Sequence, residues 1–383
     1  MIKLLHHTTE FTSRTNAIRK VVFNIDEYEE GNTILFLSEI AELDNNINLI
    51  VTTSLELYEL YKDTKEMFYF NKLDEIEEYS ILKLYDNSLY FTFMPSSNAH
   101  TLFFTNHCNH YCLMCSEPPK TDNDDYLIAD NLKIIELLDK NLPVIGISGG
   151  EPTLLGDNFL KIIKRIREKM PETTIRVLTN GRAYTDEKFV KAIADIAKGF
   201  FVSEIPLYNS DYAKHDYIVQ AKNAFFETID GFYKCAKYGL ATEVRVVLSK
   251  QNYTNLQDLM YFIYKNIPFV DHIALMGLEY IGFALNNFDD IHISPLEYKN
   301  ELLEAVKVCR NYGLAVSVYN LPLCLVHEDI RHYAQQSISD WKNEFSEICY
   351  NCESKVDCAG MFTSTQPYFT HLLTPIKKDF NVT

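Results

Sequence analysis

The feature that most constrains this chain is an alternation that begins near His100, in which short apolar or β-branched runs are each followed by a stretch with helical spacing. Candidate strands lie at residues 102–105, 144–147, 174–178, 200–205, 242–248 and 272–276. Helical patterns occupy 132–139, 159–169, 187–197, 225–238 and 256–265, and another spans 296–310. Strands separated by amphipathic helices predict right-handed βαβ units and a parallel sheet. Six units are too few to close an eight-stranded barrel, so the expected fold is α/β with an open, partial (β/α)6 barrel. In such sheets ligands sit at the carboxyl ends of the strands.

The flanks read differently. Before residue 98 the chain alternates strand-like runs and polar turns, as at Val21-Val22-Phe23-Asn24-Ile25, Ile34-Leu35-Phe36-Leu37 and Leu49-Ile50-Val51. Asp86-Asn87-Ser88 between two apolar runs is a hairpin signal. Past residue 313 one more strand is expected at 314–319, followed by a polar, cysteine-bearing tail with too little apolar sequence to fold alone. The expected division is therefore a β-rich domain at 1–97, the barrel at 98–312 and a metal-held appendix at 313–383.

Lys+Arg 36 against Asp+Glu 53 leaves a net charge of −17, which argues against a broad nucleic-acid face, since such faces need clustered Lys and Arg. No apolar run approaches the ~18 residues of a membrane helix, and Met1-Ile2-Lys3-Leu4-Leu5-His6-His7 lacks the apolar stretch of a signal peptide. A cytoplasmic location is expected. Nine cysteines, an odd number without an export signal, make a disulfide framework a poor reading. Seven of them are clustered, as in metal sites of reducing compartments. Cys235 and Cys309 stand alone on helices and read as core.

Directly after the first barrel strand comes Asn106-His107-Cys108-Asn109-His110-Tyr111-Cys112-Leu113-Met114-Cys115. A Cys-x3-Cys-x2-Cys loop supplies three thiolates, which can hold three irons of a 4Fe–4S cubane and leave the fourth open. A structural zinc site would need a fourth ligand and usually shows paired Cys-x2-Cys units. The loop resembles the signature of the radical S-adenosylmethionine (radical SAM) enzymes, with Met114 in place of the usual aromatic before the third cysteine. One βα unit later, Ser148-Gly149-Gly150-Glu151-Pro152-Thr153 is similar to that family's Gly-Gly-Glu-Pro motif. The resemblance implies a partial TIM-like barrel of the radical SAM type, with Gly149, Gly150, Glu151 and Pro152 around the amino group of S-adenosylmethionine.

Weaker positions follow. Thr179-Asn180-Gly181 reads as an N-cap turn and also resembles the family's ribose contact, with Asn180 as the candidate. Pro206 stands where many relatives carry a ribose-binding Ser. Arg245 meets the cofactor carboxylate or belongs to a buried ion pair. Met276 lines the adenine or packs in the core. Tyr208, His215, Asp216 and Glu279 lie near strand ends, as substrate-facing groups or as hydrogen-bonded loop residues.

Cys324, Cys349, Cys352 and Cys358 form a C-x24-C-x2-C-x5-C set. Four thiolates suit either zinc or a fully ligated 4Fe–4S cluster. On a radical SAM barrel the set resembles the auxiliary-cluster extensions of peptide-modifying relatives, in which a saturated cluster accepts an electron. The strings Cys112-Leu113-Met114-Cys115-Ser116-Glu117-Pro118-Pro119, Ile205-Pro206-Leu207-Tyr208, Leu275-Met276-Gly277-Leu278-Glu279, Tyr319-Asn320-Leu321-Pro322-Leu323-Cys324 and Ser337-Ile338-Ser339-Asp340-Trp341-Lys342-Asn343 resemble the His-Xaa-Ser system radical SAM maturases. That resemblance implies oxidative modification of a ribosomally made precursor peptide, a second radical SAM protein beside it, and a flavodoxin- or ferredoxin-type electron donor. Two other readings stay open: a radical enzyme acting on a small metabolite, and a non-catalytic iron–sulfur or zinc protein.

Overall fold

The computed structural model describes residues 3–7, 10–11, 17–70, 73, 76–85, 88–336 and 343–377. Two compact units emerge, and they do not follow the linear order of the chain. The first is Met1–Phe103 with Asp125–Ile145 and Arg165–Thr173. The second is Phe104–Asp124, Gly146–Lys164 and Thr174–Thr383, so the cysteine-bearing tail and the later barrel strands share one unit.

The first unit is built on eight strands: β1 (Lys3–His7), β2 (Glu10–Phe11), β3 (Ala17–Val22), β4 (Thr33–Leu37), β5 (Leu49–Thr52), β6 (Glu66–Tyr69), β7 (Ile81–Tyr85) and β8 (Ser88–Phe93). They form one mixed sheet in the order β1-β8-β7-β3-β4-β5-β6-β2. Neighbouring residues on a strand point to opposite faces, and both faces are apolar here. Val21, Ile34, Val51 and Phe68 enter one core cluster with Leu82 and Leu84. Val22, Leu35, Ile50 and Met67 enter another with Leu57 and Tyr58 of helix α1 (Leu55–Tyr61). β1 and β2 stand at opposite ends of the strand order yet are three residue steps apart in the chain, at most about 11 Å. The sheet therefore curls until its edges approach.

Two expectations in this unit are corrected. The run 21–25 is not all strand: β3 ends at Val22, and Ile25–Glu27 is a 3₁₀ turn whose N-cap, Asn24, accepts the Asp26 N–H at 3.0 Å. Helix α1 was masked by its apolar surroundings, although Ser54 caps it by accepting the Leu57 N–H. Asp86 and Asn87 of the hairpin signal lie outside the described residues, while Tyr85 and Ser88 pair antiparallel.

The second sheet has seven strands: β9 (Thr101–Phe103), β10 (Val144–Ser148), β11 (Thr174–Leu178), β12 (Phe201–Pro206), β13 (Ala241–Val247), β14 (His272–Met276) and β15 (Val316–Tyr319). Their order is sequential from β9 to β15, and β11 through β15 pair in parallel. This is the expected open half-barrel with the seventh strand added at its end. The helices between strands are α2 (Tyr126–Leu137), α3 (Asp157–Lys169), α4 (Glu187–Ala197), α5 (Tyr212–Val219), α6 (Ala224–Lys237), α7 (Leu256–Asn266), α8 (Phe283–Asn286), α9 (Phe288–Ile291) and α10 (Lys299–Asn311). Helix α2 begins six residues earlier than the apolar spacing at 132 suggests, and α10 begins at Lys299 rather than at 296. Helix α5 was not expected; Asp211 caps it by accepting the Ala213 N–H at 2.8 Å. In the tail, β16 (Asn343–Glu344) pairs antiparallel with β17 (Met361–Phe362), and α11 (Gln366–Phe369) follows. Among the described residues no helix is long and apolar enough to cross a membrane. The string 337–342 lies outside the described residues.

Candidate functional site

The Cys loop leaves β9 and is held by hydrogen bonds to several other segments. Asp124, which carries no sequence motif, is buried and accepts from Thr105 Oγ1 at 2.8 Å and the Asn106 N–H at 2.5 Å. The Gly150 N–H donates to Thr105 O and the Glu151 N–H to His107 O, both at 2.7 Å. The Tyr111 and Leu113 N–H groups donate to the carbonyls of Val219 and Ile218, at the end of α5. From the loop after β14, the Phe283 N–H donates to Cys115 O at 2.8 Å and Asn287 Nδ2 to Leu113 O at 2.9 Å.

Two glycines make these approaches possible. A Cβ on Gly150 would lie 2.2 Å from His107 O, and one on Gly282, whose φ is +58°, would lie 2.5 Å from Cys115 O. Asn287 and Gly282 carry no motif signal, because their role depends on a partner about 170 residues away.

Cys108, Cys112 and Cys115 are free thiols close enough to perturb one another. Burial pushes the Cys108 thiol up to about 12 and raises Cys112 and Cys115 as well. Without a metal these groups stay protonated; an electrophilic iron would displace the protons. The donor set thus fits a cluster held through three cysteines. Met114 is buried in the core beside the loop.

Glu151 is 1% exposed and faces inward. Its Oε1 accepts from Thr153 N at 3.1 Å, Thr153 Oγ1 at 2.5 Å and Thr179 Oγ1 at 2.7 Å, and its Oε2 from Asn180 N at 2.6 Å. Of about four lone-pair positions on a carboxylate, one remains on Oε2. Burial raises the Glu151 pKa against the pull of these donors. Pro152 is buried and starts a 3₁₀ turn. Gly149 has φ +137°, where a Cβ would strike Thr105 O.

The N-cap of the 3₁₀ turn at Arg182–Thr185 is Gly181, without a side-chain cap; Asn180 precedes it, its Oδ1 accepting the Arg182 N–H at 3.0 Å. Its Nδ2 also donates to Asn109 Oδ1 at 2.6 Å, tying the third strand's loop to the Cys loop. Arg245 sits in a half-buried ion-pair network: it bonds Glu204, lies 3.6 Å from Glu243, and donates to Met276 Sδ at 3.2 Å. Arg176 bridges the same two acids at 2.5 and 2.9 Å, and His272 Nδ1 lies 3.0 Å from Glu243. Burial alone would raise Glu243, but His272 and the two arginines hold it below the usual carboxylate range.

The remaining candidates divide clearly. Asp216 caps α6 by accepting the Asn223 and Phe225 N–H groups. Tyr208 and His215 are buried, and Cys235 and Cys309 are fully so.

The four cysteines of the tail line one cavity, with about 420 Å³ of empty space, open solvent included. The Leu323 and Gly360 N–H groups point at Cys358 Sγ (3.3 and 3.4 Å), and the Ile376 N–H at Cys352 Sγ (3.4 Å). Backbone N–H groups aimed at a sulfur favour its thiolate form. Among the described residues no three His, Cys, Asp or Glu side chains are gathered to hold a single metal ion.

Residues 102–263 match the family model described as the Radical SAM superfamily. No curated protein matches the chain. Among solved structures it is similar to native anSMEcpe with bound AdoMet and Cp18Cys peptide, at 15% identity over 57% of this chain and 62% of that one, TM-score 0.45. It is also similar to coproporphyrinogen III oxidase (HemN) from Escherichia coli, a radical SAM enzyme, at 12% identity over 56% of this chain and 52% of that one, TM-score 0.44. This chain spans about three-fifths of the first structure's length, 62%. The superfamily implies S-adenosylmethionine and a 4Fe–4S cluster. The matched stretch, under half of the chain, takes in the Cys loop and the Gly-Gly-Glu loop and is similar to a radical SAM superfamily domain.

Proposed function

We propose that this chain is a radical SAM maturase that oxidatively modifies, by cross-linking, a ribosomally made precursor peptide of the His-Xaa-Ser type. One observation carries the reading: both cysteine sets border the same apolar cluster. Cys112 packs on it from the first loop, and Cys324 and Cys349 from the tail, around Met114, Tyr208, Tyr280 and Phe369. When bound, a 4Fe–4S cluster with S-adenosylmethionine supplies a 5′-deoxyadenosyl radical that takes a hydrogen atom from carbon.

The chain's own residues do the rest. Cys108, Cys112 and Cys115 hold the first cluster, and Gly149, Gly150, Glu151, Pro152 and Asn180 shape the cofactor's side of the site. Arg245, donating to Met276 Sδ, and Met276 itself set the wall beside it. The apolar cluster keeps dissolved reductants and dioxygen, which would quench a carbon radical, away from it. Cys324, Cys349, Cys352 and Cys358 hold a second 4Fe–4S cluster that accepts the surplus electron. A second radical SAM protein, a flavodoxin- or ferredoxin-type donor and the precursor are the partners, and strand addition at β1 or β2 is a route for gripping the leader.

The test is to incubate anaerobically reconstituted protein with S-adenosylmethionine, reductant and precursor. Deoxyadenosine formed together with a loss of hydrogens from the peptide supports the proposal. Deoxyadenosine formed while the peptide mass never changes sinks it. Iron counting tests the second site: about eight irons per chain should fall to about four in Cys324→Ala/Cys349→Ala, whereas four irons plus one zinc would point to a redox-neutral reaction.

A further inference from the structure

A second cavity lies apart from both cysteine sets, and no cysteine lines it. It sits past the carboxyl ends of β13, β14 and β15, where Leu248, Gly277 and Asn320 begin the following loops, and the start of α10 and the tail close it. This is the end of a parallel sheet at which ligands bind. It holds about 350 Å³ of empty space, open solvent included. Tyr280, Met361 and Phe369 of its wall also belong to the apolar cluster that Cys112 borders.

Among the described residues no charged side chain lines this cavity. Its polar groups are few, and two of them are already engaged: Thr365 Oγ1 donates to Phe362 O at 2.8 Å, and the Tyr280 hydroxyl lies 2.9 Å from His292 Nδ1. The other two are not. The Tyr298 hydroxyl and the Asn320 side-chain amide have no hydrogen-bond partner among the described residues. Tyr298 is 3% exposed, yet its hydroxyl is not sealed away from open space, so it faces the cavity. Burial raises its pKa, which keeps the group protonated and able to donate. Asn320 has a φ of +61°, a left-handed conformation that Asn tolerates better than most residues. Its carbonyl packs on Gly277, where a Cβ would lie 2.5 Å away, so the turn that carries the amide is fixed by close backbone packing.

We propose that this cavity is a specificity pocket for one side chain of the bound peptide, an uncharged aromatic ring with a hydrogen-bonding atom at its tip, of which a phenol is the type. The rings of Tyr280, Tyr298 and Phe369 supply apolar faces for such a ring. Tyr298 donates to the tip and the Asn320 carbonyl accepts from it. A carboxylate or an ammonium group would enter with no counter-charge, at a large desolvation cost. A ring without a polar tip would displace water from Tyr298 and Asn320 and leave both unpaired. That the ring belongs to a peptide rests on the proposed function; the pocket's preference for it does not.

The experiment titrates full-length, anaerobically reconstituted protein with 4-methylphenol, toluene and 4-methylbenzoate at neutral pH, where only the last is charged. Dissociation constants are read by saturation-transfer NMR. 4-Methylphenol should bind about tenfold more tightly than toluene, the contribution of one hydrogen bond, and 4-methylbenzoate more weakly than either. Tyr298→Phe, which removes a single oxygen, should bring 4-methylphenol to the level of toluene and leave toluene unchanged. Asn320→Gly keeps the positive φ and should also weaken 4-methylphenol. No binding of any of the three overturns the pocket. So does 4-methylphenol binding no more tightly than toluene, 4-methylbenzoate matching it, or a 4-methylphenol constant that Tyr298→Phe does not move. No turnover is measured, so each of these outcomes stands apart from the peptide-mass test of the maturase reading.

Discussion

Glu151 Oε2 accepts the backbone N–H of Asn180 at 2.6 Å, so the carboxylate of the Gly-Gly-Glu loop holds the turn that ends the third barrel strand. Thr179 and Thr153 donate to the same group. Glu151→Ala would leave several buried donors unpaired, at a cost of about 3 kcal/mol. Glu151→Gln keeps a carbonyl acceptor and should cost less. Urea unfolding of the apoprotein measures both; equal losses would show that the carboxylate does not hold the turn.

Gly282 packs against the carbonyls of Cys115 and Ser116 at a φ that side chains disfavour. Gly282→Val should push the Cys loop away from the loop after β14, destabilise the fold by about 2 kcal/mol and lower the iron retained per chain after reconstitution. Iron and protein assays on the variant check this. Full iron retention would mean that the loop keeps its shape without that contact.

Arg245 and Glu204 form a half-buried pair with 18% and 4% of their side chains exposed. Arg245→Met leaves Glu204 to Arg176 alone and should cost about 2 kcal/mol, while adding Glu204→Gln should cost little more. A double-mutant cycle reads the coupling. Additive losses would mean the ion pair contributes nothing of its own.

Folding should become acid-sensitive through His215. Its pKa is lowered to about 4 in the fold by burial, against about 6.5 in an unfolded chain. Above pH 6.5 both states are neutral and no effect is expected. Between pH 6.5 and 4 the unfolded chain binds the proton and the folded one does not, so stability falls, by about 2 kcal/mol at pH 5. Urea titrations of the apoprotein at pH 7.5 and 5 should show this loss in wild type, and a smaller one in His215→Leu. Identical losses in the two proteins would remove His215 as the cause.

What was legible in the sequence was local. The alternation of strand and helix periods predicted the parallel half-barrel, because each period is set by residues a few positions apart. The Cys-x3-Cys-x2-Cys spacing and the following Gly-Gly-Glu likewise sit in single loops whose place after a strand can be read off directly. Asp211 before α5 was a readable cap, yet the helix was overlooked because its apolar face is weakly patterned.

What the tertiary structure decided was convergence. Arg245 could be read either as a cofactor contact or as an ion pair; in the structure the parallel register of β12, β13 and β14 puts Glu204 and Glu243 within its reach. Cys112 and Cys349 are far apart in the chain, and only packing sets them on one apolar cluster. Asn287 reaches Leu113 across a similar distance. Short-range periodicity and turn chemistry specify the elements, whereas the pairing of residues distant in sequence follows from strand register and side-chain packing, which no local stretch of sequence contains.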